Sequence, residues 1–218
     1  MKNKDFIIVL AWPEGMTTAA GSWYDLLFAK NGKYRVGHAA LILVNSKNKK
    51  FYYMDFGRYH TPLGYGRVRD QQTDPDVKIS RLAEIENNEI KNIEAVLRET
   101  AYKEANHGEG SLYASIVYNI NFDSAYNYAK EIQKKGLLEY GPFTINGTNC
   151  SRFVSSVIIN SKCKKLTKIR LMFPCTISPS PKRNISISNR EFFYVNKLII
   201  QKIKRNYLGS YFKSIERR

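Results

Sequence analysis

Ten residues, Val36-Gly37-His38-Ala39-Ala40-Leu41-Ile42-Leu43-Val44-Asn45, restrict the fold of this chain more than any others. From Ala39 to Val44 both alternations are apolar, and a strand with two apolar faces is stable only where each face is covered. The run therefore predicts a central strand of a sheet with further layers above and below it. Before Asn45 ends the run, its one polar side chain is His38. An unpaired polar group buried there costs about 1–3 kcal/mol, so the imidazole needs a partner.

Neighbouring segments extend the sheet. Phe6–Trp12 is a short apolar run stopped by Pro13 and reads as a buried strand. Ser46 to Lys50 is a polar turn and Phe51–Phe56 is strand-like, so with the central strand it reads as an antiparallel hairpin. A two-residue turn at Ser46-Lys47 sets Asp55 opposite His38 on one face; a slip by one residue turns Asp55 to the other. Leu112–Ile120 reads as a further strand. Helices are expected over 23–29 behind Ser22, over about 85–105, from Asn121 or Asp123 to Lys135, over about 150–160, and over 190–215 through Val195, Leu198, Ile199 and Ile203. Lys162 to Ser188 is basic, proline-bearing and irregular.

With 218 residues, 43% of them apolar, the chain can bury a sizeable core. The expected organisation is a domain over 1–160, with a helical insertion at about 85–135, and a basic extension over 161–218 packed on it or flanking it. Of the net charge of +16, residues 161–218 carry +13 and residues 1–160 only +3. Such an extension suits an anionic surface as a partner, whether membrane, nucleic acid or acidic protein, and equally a solvated basic face. No specific nucleic-acid reader is expected. Cys150, Cys163 and Cys175 form neither a disulfide framework nor a zinc-type pair, which predicts a reduced compartment and no metal or cofactor. With no cleavage-site pattern after Met1 and no run of about 18 apolar residues, a cytoplasmic location is expected.

The chemistry centres on Asn146-Gly147-Thr148-Asn149-Cys150-Ser151-Arg152-Phe153-Val154, where a turn meets a helix. Thr148 or Asn149 can cap, and Cys150 falls in the first helical turn. Unsatisfied backbone N–H groups and the positive end of the helix dipole favour a thiolate there. Alone, such a cysteine reads equally as a small packed side chain. Together with a histidine inside an apolar strand it reads as a nucleophile and its base, with Asp55 or His60 to orient the ring, while Asp55 reads equally as a strand-end carboxylate paired to Arg58. Arg58, Arg67 and Arg69, in a loop rich in Gly and Tyr, suit a carboxylate or phosphate on a substrate, or a structural surface. Trp12 and Trp23 could wall a pocket or pack in the core.

The strand histidine in Val36-Gly37-His38-Ala39-Ala40-Leu41, a polar residue on the next strand and the later Asn149-Cys150-Ser151-Arg152-Phe153-Val154 resemble the circularly permuted branch of the NlpC/P60 papain-like superfamily, which includes lecithin:retinol acyltransferase-like proteins. The resemblance spans roughly residues 36–158. It implies an α+β papain-like fold with an antiparallel sheet packed against the cysteine-bearing helix. It further implies a Cys150 nucleophile, a His38 base and an orienting group placed at Asp55, acting without a cofactor on an amide or ester of a small-molecule, peptide or acyl substrate. Arg58, His60, Arg67, Trp12 and Asn149 are the candidate substrate-binding residues. A fold of this kind without activity, binding an anionic ligand, and a nucleic-acid or membrane-surface protein acting through its basic end are the alternatives.

Overall fold

The computed structural model describes residues 5–18, 31–35, 37–175, 180–197, 199–213 and 215. Strands β1 (Asp5–Trp12), β4 (His38–Asn45), β5 (Lys50–Gly57), β6 (Tyr65–Asp70), β9 (Leu112–Ile120), β10 (Leu138–Glu139), β11 (Glu191–Asn196) and β12 (Ile199–Lys204) form one antiparallel sheet in the order β10-β6-β5-β4-β1-β9-β11-β12. Two further antiparallel strand pairs stand apart: β2 (Met16–Thr18) with β3 (Lys33–Arg35), and β7 (Ile85–Glu86) with β8 (Glu89–Ile90).

The double apolar pattern of β1 and β4 is used as the sequence suggests, because both faces of the sheet are covered. Ile7, Val9, Leu41 and Leu43 pack against α2 (Phe122–Lys134) and α3 (Cys150–Asn160). Their neighbours Ile8, Leu10, Ala40 and Ile42 pack against α1 (Ile93–Tyr102) and the segment before it. The chain is thus α+β, with a large antiparallel sheet between two layers. Asn121 caps α2 by accepting from Ser124 N at 2.7 Å.

Three expectations are corrected. The helix over 85–105 begins only at Ile93; Asn87 and Asn88, both at positive φ (50° and 61°), make instead the tight turn of the β7–β8 hairpin, a conformation Asn tolerates. The helix over 190–215 is a hairpin followed by a short helix, α6 (Tyr207–Phe212). Phe192 enters the α3 side of the core and Phe193 and Val195 the α1 side, a period of two that suits a strand, and β11 pairs with the open edge of β9. The irregular stretch 162–188 holds two helices, α4 (Lys165–Met172) and α5 (Pro181–Ser188), the latter capped by Ser180 with proline at its first turn. The helix expected over 23–29, with Trp23, lies outside the described residues. No described helix is long and apolar enough to cross a membrane.

Candidate active site

Cys150 is the first residue of α3. Asn149 is its cap: the side chain accepts from Arg152 N at 2.8 Å and the carbonyl from Phe153 N at 2.9 Å. The apolar face of α3 packs on β4, which brings the start of the helix to the start of that strand. His38 stands there, opposite Trp12 of β1, whose indole stacks on the imidazole with ring centroids 5.8 Å apart. Gly37 makes the entry possible. Its φ is +68°, and a Cβ would lie 2.4 Å from Trp12 O and 2.7 Å from Pro13 Cα.

The hairpin turn between β4 and β5 is two residues longer than expected, so Asp55 pairs with Ala40. An even offset preserves the face, and Asp55 still reaches His38, with Oδ2 3.0 Å from Nε2. Asp55 is fully buried. Arg69, its cross-strand partner on β6, donates from Nε to Oδ1 (3.0 Å) and from Nη2 to Oδ2 (2.7 Å). The hydroxyls of Tyr53 and Tyr59 each donate to Oδ2 at 3.1 Å, and the Tyr59 oxygen lies 3.2 Å from His38 Nε2. Arg69 stacks over Tyr59 with its guanidinium carbon 3.4 Å from the ring centre.

These contacts set the protonation states. Burial pushes Asp55 up, but His38 and Arg69 outweigh it and hold the carboxyl well below its ordinary range. Burial pushes His38 down, yet hydrogen bonds to Asp55 and Cys150 raise it to about 9. For Cys150 burial again opposes ionisation, and His38, then Tyr140 and the backbone of Ala39, pull the thiol below its ordinary value. With Nε2 directed at Asp55 and Tyr59, Nδ1 is the nitrogen left for the sulfur. The arrangement favours a thiolate–imidazolium pair.

Tyr140 closes the other side of the sulfur. Its hydroxyl lies 3.7 Å from Cys150 Sγ and close to the Cys150 backbone N–H, and its ring stacks on Phe56 at 5.7 Å. Burial and the neighbouring thiol raise the phenol well above its ordinary value, so it stays a donor. A cleft of about 370 Å³ opens above, its walls including His38, Gly57, Arg58, Tyr59, His107 and Tyr140. Cys150, only 5% exposed, sits one layer beneath His38 and Tyr140. Among the described residues, no group of three His, Cys, Asp or Glu side chains is placed to hold a metal ion.

Residues 7–167 match the family model described as type VI secretion system effector TseH-like. The chain belongs to that family. A crystal structure of the type VI secretion system effector TseH superposes with a TM-score of 0.56 at 16% identity, covering 91% of this chain and 97% of that one, which shows a common fold. No curated protein matches. The segment shared with the TseH-like family contains His38, Asp55 and Cys150.

The other candidate residues of this TseH-like chain are dispersed. Arg58 lines the cleft, its guanidinium 5.5 Å from the Tyr140 ring centre. Arg67 is engaged within the chain, forked onto Asp74 at 2.7 Å through both terminal nitrogens and bonded from Nε to Tyr59 O at 2.9 Å, so it holds the Tyr59 loop. His60 is exposed at a bend outside the walls of the cleft, and the groups on His38 Nε2 are Asp55 and Tyr59. Trp12 backs His38 and is fully buried. Sequence reasoning misses Tyr53, Tyr59 and Tyr140, and it leaves Arg69 open between a ligand binder and a structural residue without pairing it to Asp55. The available signal was that a buried Asp55 requires a cation and donors of its own.

Proposed function

We propose that this chain is a cysteine-dependent hydrolase or acyltransferase of the permuted NlpC/P60 papain-like kind, acting as a secretion-system effector on an amide or ester bond. The observation that carries the reading is the His38 imidazole, bonded to buried Asp55 through Nε2 and interacting with a thiol at a helix N-terminus. Membership of the TseH-like family supports an effector role, and so a site of action reached by delivery in place of the cytoplasm of the producing cell.

In this reading the Cys150 thiolate attacks the acyl carbon, forming a C–S bond as the carbonyl pair moves onto oxygen. The Tyr140 hydroxyl, 3.7 Å from the sulfur, and the backbone N–H of Cys150 that lies against it are the donors nearest the reacting atom, and in this reading they turn to the oxyanion as it develops. Collapse expels the amine or alcohol, which takes its proton from the imidazolium of His38. Neutral His38 then deprotonates water, or an acceptor hydroxyl or amine, which attacks the thioester and releases the thiolate. Asp55 keeps the ring oriented and its cation stabilised throughout. Arg58, on the wall of the cleft, is positioned to meet a carboxylate or phosphate of the substrate.

Alkylation by iodoacetamide, read by peptide mapping, separates Cys150 from exposed Cys175. Cys150 is expected to react near pH 6 at least about tenfold faster than a free thiol of pKa about 8.5, and His38→Ala to remove that advantage. A rate equal to that of the free thiol and indifferent to His38→Ala would overturn the proposal.

A further inference from the structure

A second surface carries chemistry that the cysteine site does not use. Helices α4 and α6 each pack against α5 and are linked by hydrogen bonds from Arg170 Nη2 to Ser210 Oγ (2.7 Å) and from the Tyr211 hydroxyl to Phe173 O. Their apolar residues point the wrong way for a packed helix. Leu166 and Ile169 on α4 and Phe173 just after it, spaced three and four apart, are each more than half exposed, as are Met172, Leu208 and Phe212. Leu171 is the buried apolar residue of α4. Lys164, Lys165 and Lys168 are exposed among them, and residues 161–175 hold five Lys or Arg and no Asp or Glu.

Beside this patch opens a cleft of about 340 Å³ whose walls include Lys164, Arg170, Asn189, Arg190, Glu191 and Tyr207. Glu191 is already paired with Lys202 at 2.9 Å and Lys204 at 3.6 Å. Arg170, Arg183 and Arg205 stand near enough to repel one another; burial first, and then the neighbouring arginines, lower both Arg170 and Arg205. Carbonyls, serines and rings hold them in place of acids. Arg183 Nε donates to Pro174 O (2.6 Å), Arg205 Nη2 to Ser186 Oγ (2.9 Å), and Arg170 and Arg183 both lie over Tyr211. Among the described residues no carboxylate bonds any of the three. Arg170 Nε, Arg183 Nη2 and Arg205 Nε are buried with no hydrogen-bond partner among the described residues.

We propose that this face docks on an anionic phospholipid surface, with the α4 and α6 apolar side chains entering the interface and the Lys164–Arg170–Arg190 cleft receiving a headgroup phosphate. Lipid is the occupant that answers both halves of the surface. A second copy would cover the apolar patch but set like charges against each other, and a nucleic acid would meet the charge but leave the patch in water. The inference is independent of the chemistry at Cys150.

Flotation of the full chain with vesicles of equal parts phosphatidylglycerol and phosphatidylcholine tests it. Binding is expected to these vesicles and not to phosphatidylcholine alone. The combined Leu166→Ser, Ile169→Ser and Leu208→Ser variant is expected to bind at least about tenfold more weakly, and Lys164→Gln with Lys168→Gln to lose the preference for the anionic lipid. All five positions are exposed, so an unchanged melting midpoint and Cys150 alkylation rate verify the fold. Failure to float with the anionic vesicles overturns the proposal. So does full retention by the triple serine variant, with polyglutamate or duplex DNA displacing the chain, which would make the surface a site for charge alone.

Discussion

Replacing Arg69 with methionine isolates the interaction that the site depends on most. Asp55 is fully buried, and its two oxygens accept two bonds from Arg69, one from His38 and two from tyrosine hydroxyls. Breaking a buried ion pair from one side costs about 3–5 kcal/mol, because the remaining charge stays out of water. His38, as imidazolium, and the phenols of Tyr53 and Tyr59 remain, which places the loss toward the lower end. Removal of the guanidinium from the Tyr59 face, 3.4 Å away, adds about 0.5–2 kcal/mol. A net loss of about 3–5 kcal/mol corresponds, in a chain of this length, to a fall of roughly 6–20 °C in the melting midpoint.

Urea and thermal unfolding at pH 7 measure that loss, and a cycle with Asp55→Asn apportions it. Once Asp55 is neutral, Arg69→Met removes much less, so the coupling between the two positions is expected to reach at least about 2 kcal/mol. Arg69→Met within about 1 kcal/mol of the parent, or strictly additive losses, would show that the carboxylate does not depend on this cation and would refute the charge argument for the site.

Hydrolytic kcat/KM is expected to rise with ionisation of Cys150 and to fall as pH passes about 9, where His38 gives up the proton needed by the leaving group; a rate still climbing beyond pH 10 contradicts the pair. The stability linkage has the same sign for the histidine. Its folded pKa of about 9 lies above the unfolded value near 6.5, so its contribution is complete below about pH 6.5 and disappears as pH rises through 9, which unfolding against His38→Gln will detect. Gly37→Ala is expected to cost at least about 1–2 kcal/mol from the positive φ alone, with the contact at Trp12 O adding to it, and a thermal shift of less than a degree would disprove the constraint. Asn149→Ala removes the cap of the cysteine helix and is expected to cost about 0.5–2 kcal/mol in the same assay, with Asn149→Asp retaining most of it.

The parts of this structure legible in the sequence are those decided by local pattern. β1, β4, β5 and β9 are dense apolar runs, and Asn149 and Asn121 are caps that need only the next three residues to act. The turn between β4 and β5 is two residues longer than the pattern predicts, yet the face of Asp55 is unchanged because side chains alternate with period two. The β11–β12 hairpin was illegible for a different reason. Val195, Ile199 and Ile203 recur every four residues, which fits a helix face as well as two strands joined at Lys197, and what selects strand is the unpaired edge of β9, some eighty residues away.

The same distinction explains why the sequence exposed the proposed nucleophile and base but not the residues around them. Cys150 and His38 each violate a local expectation, a thiol at a helix start and an imidazole in an apolar strand. Arg69, Tyr53 and Tyr59 violate none. They matter because antiparallel pairing places Arg69 directly across from Asp55, and because a carboxylate with no access to water must collect its donors from whatever side chains the pairing supplies. Tyr140 is similar: backbone bonds that join Thr148 to Glu139 and Gly141 fold the ten-residue approach to α3 back on itself and carry the phenol to the sulfur. Sheet register is therefore the variable on which the site turns. A change that moved β5 by a single residue would leave every residue type in place and still separate Asp55 from both His38 and Arg69.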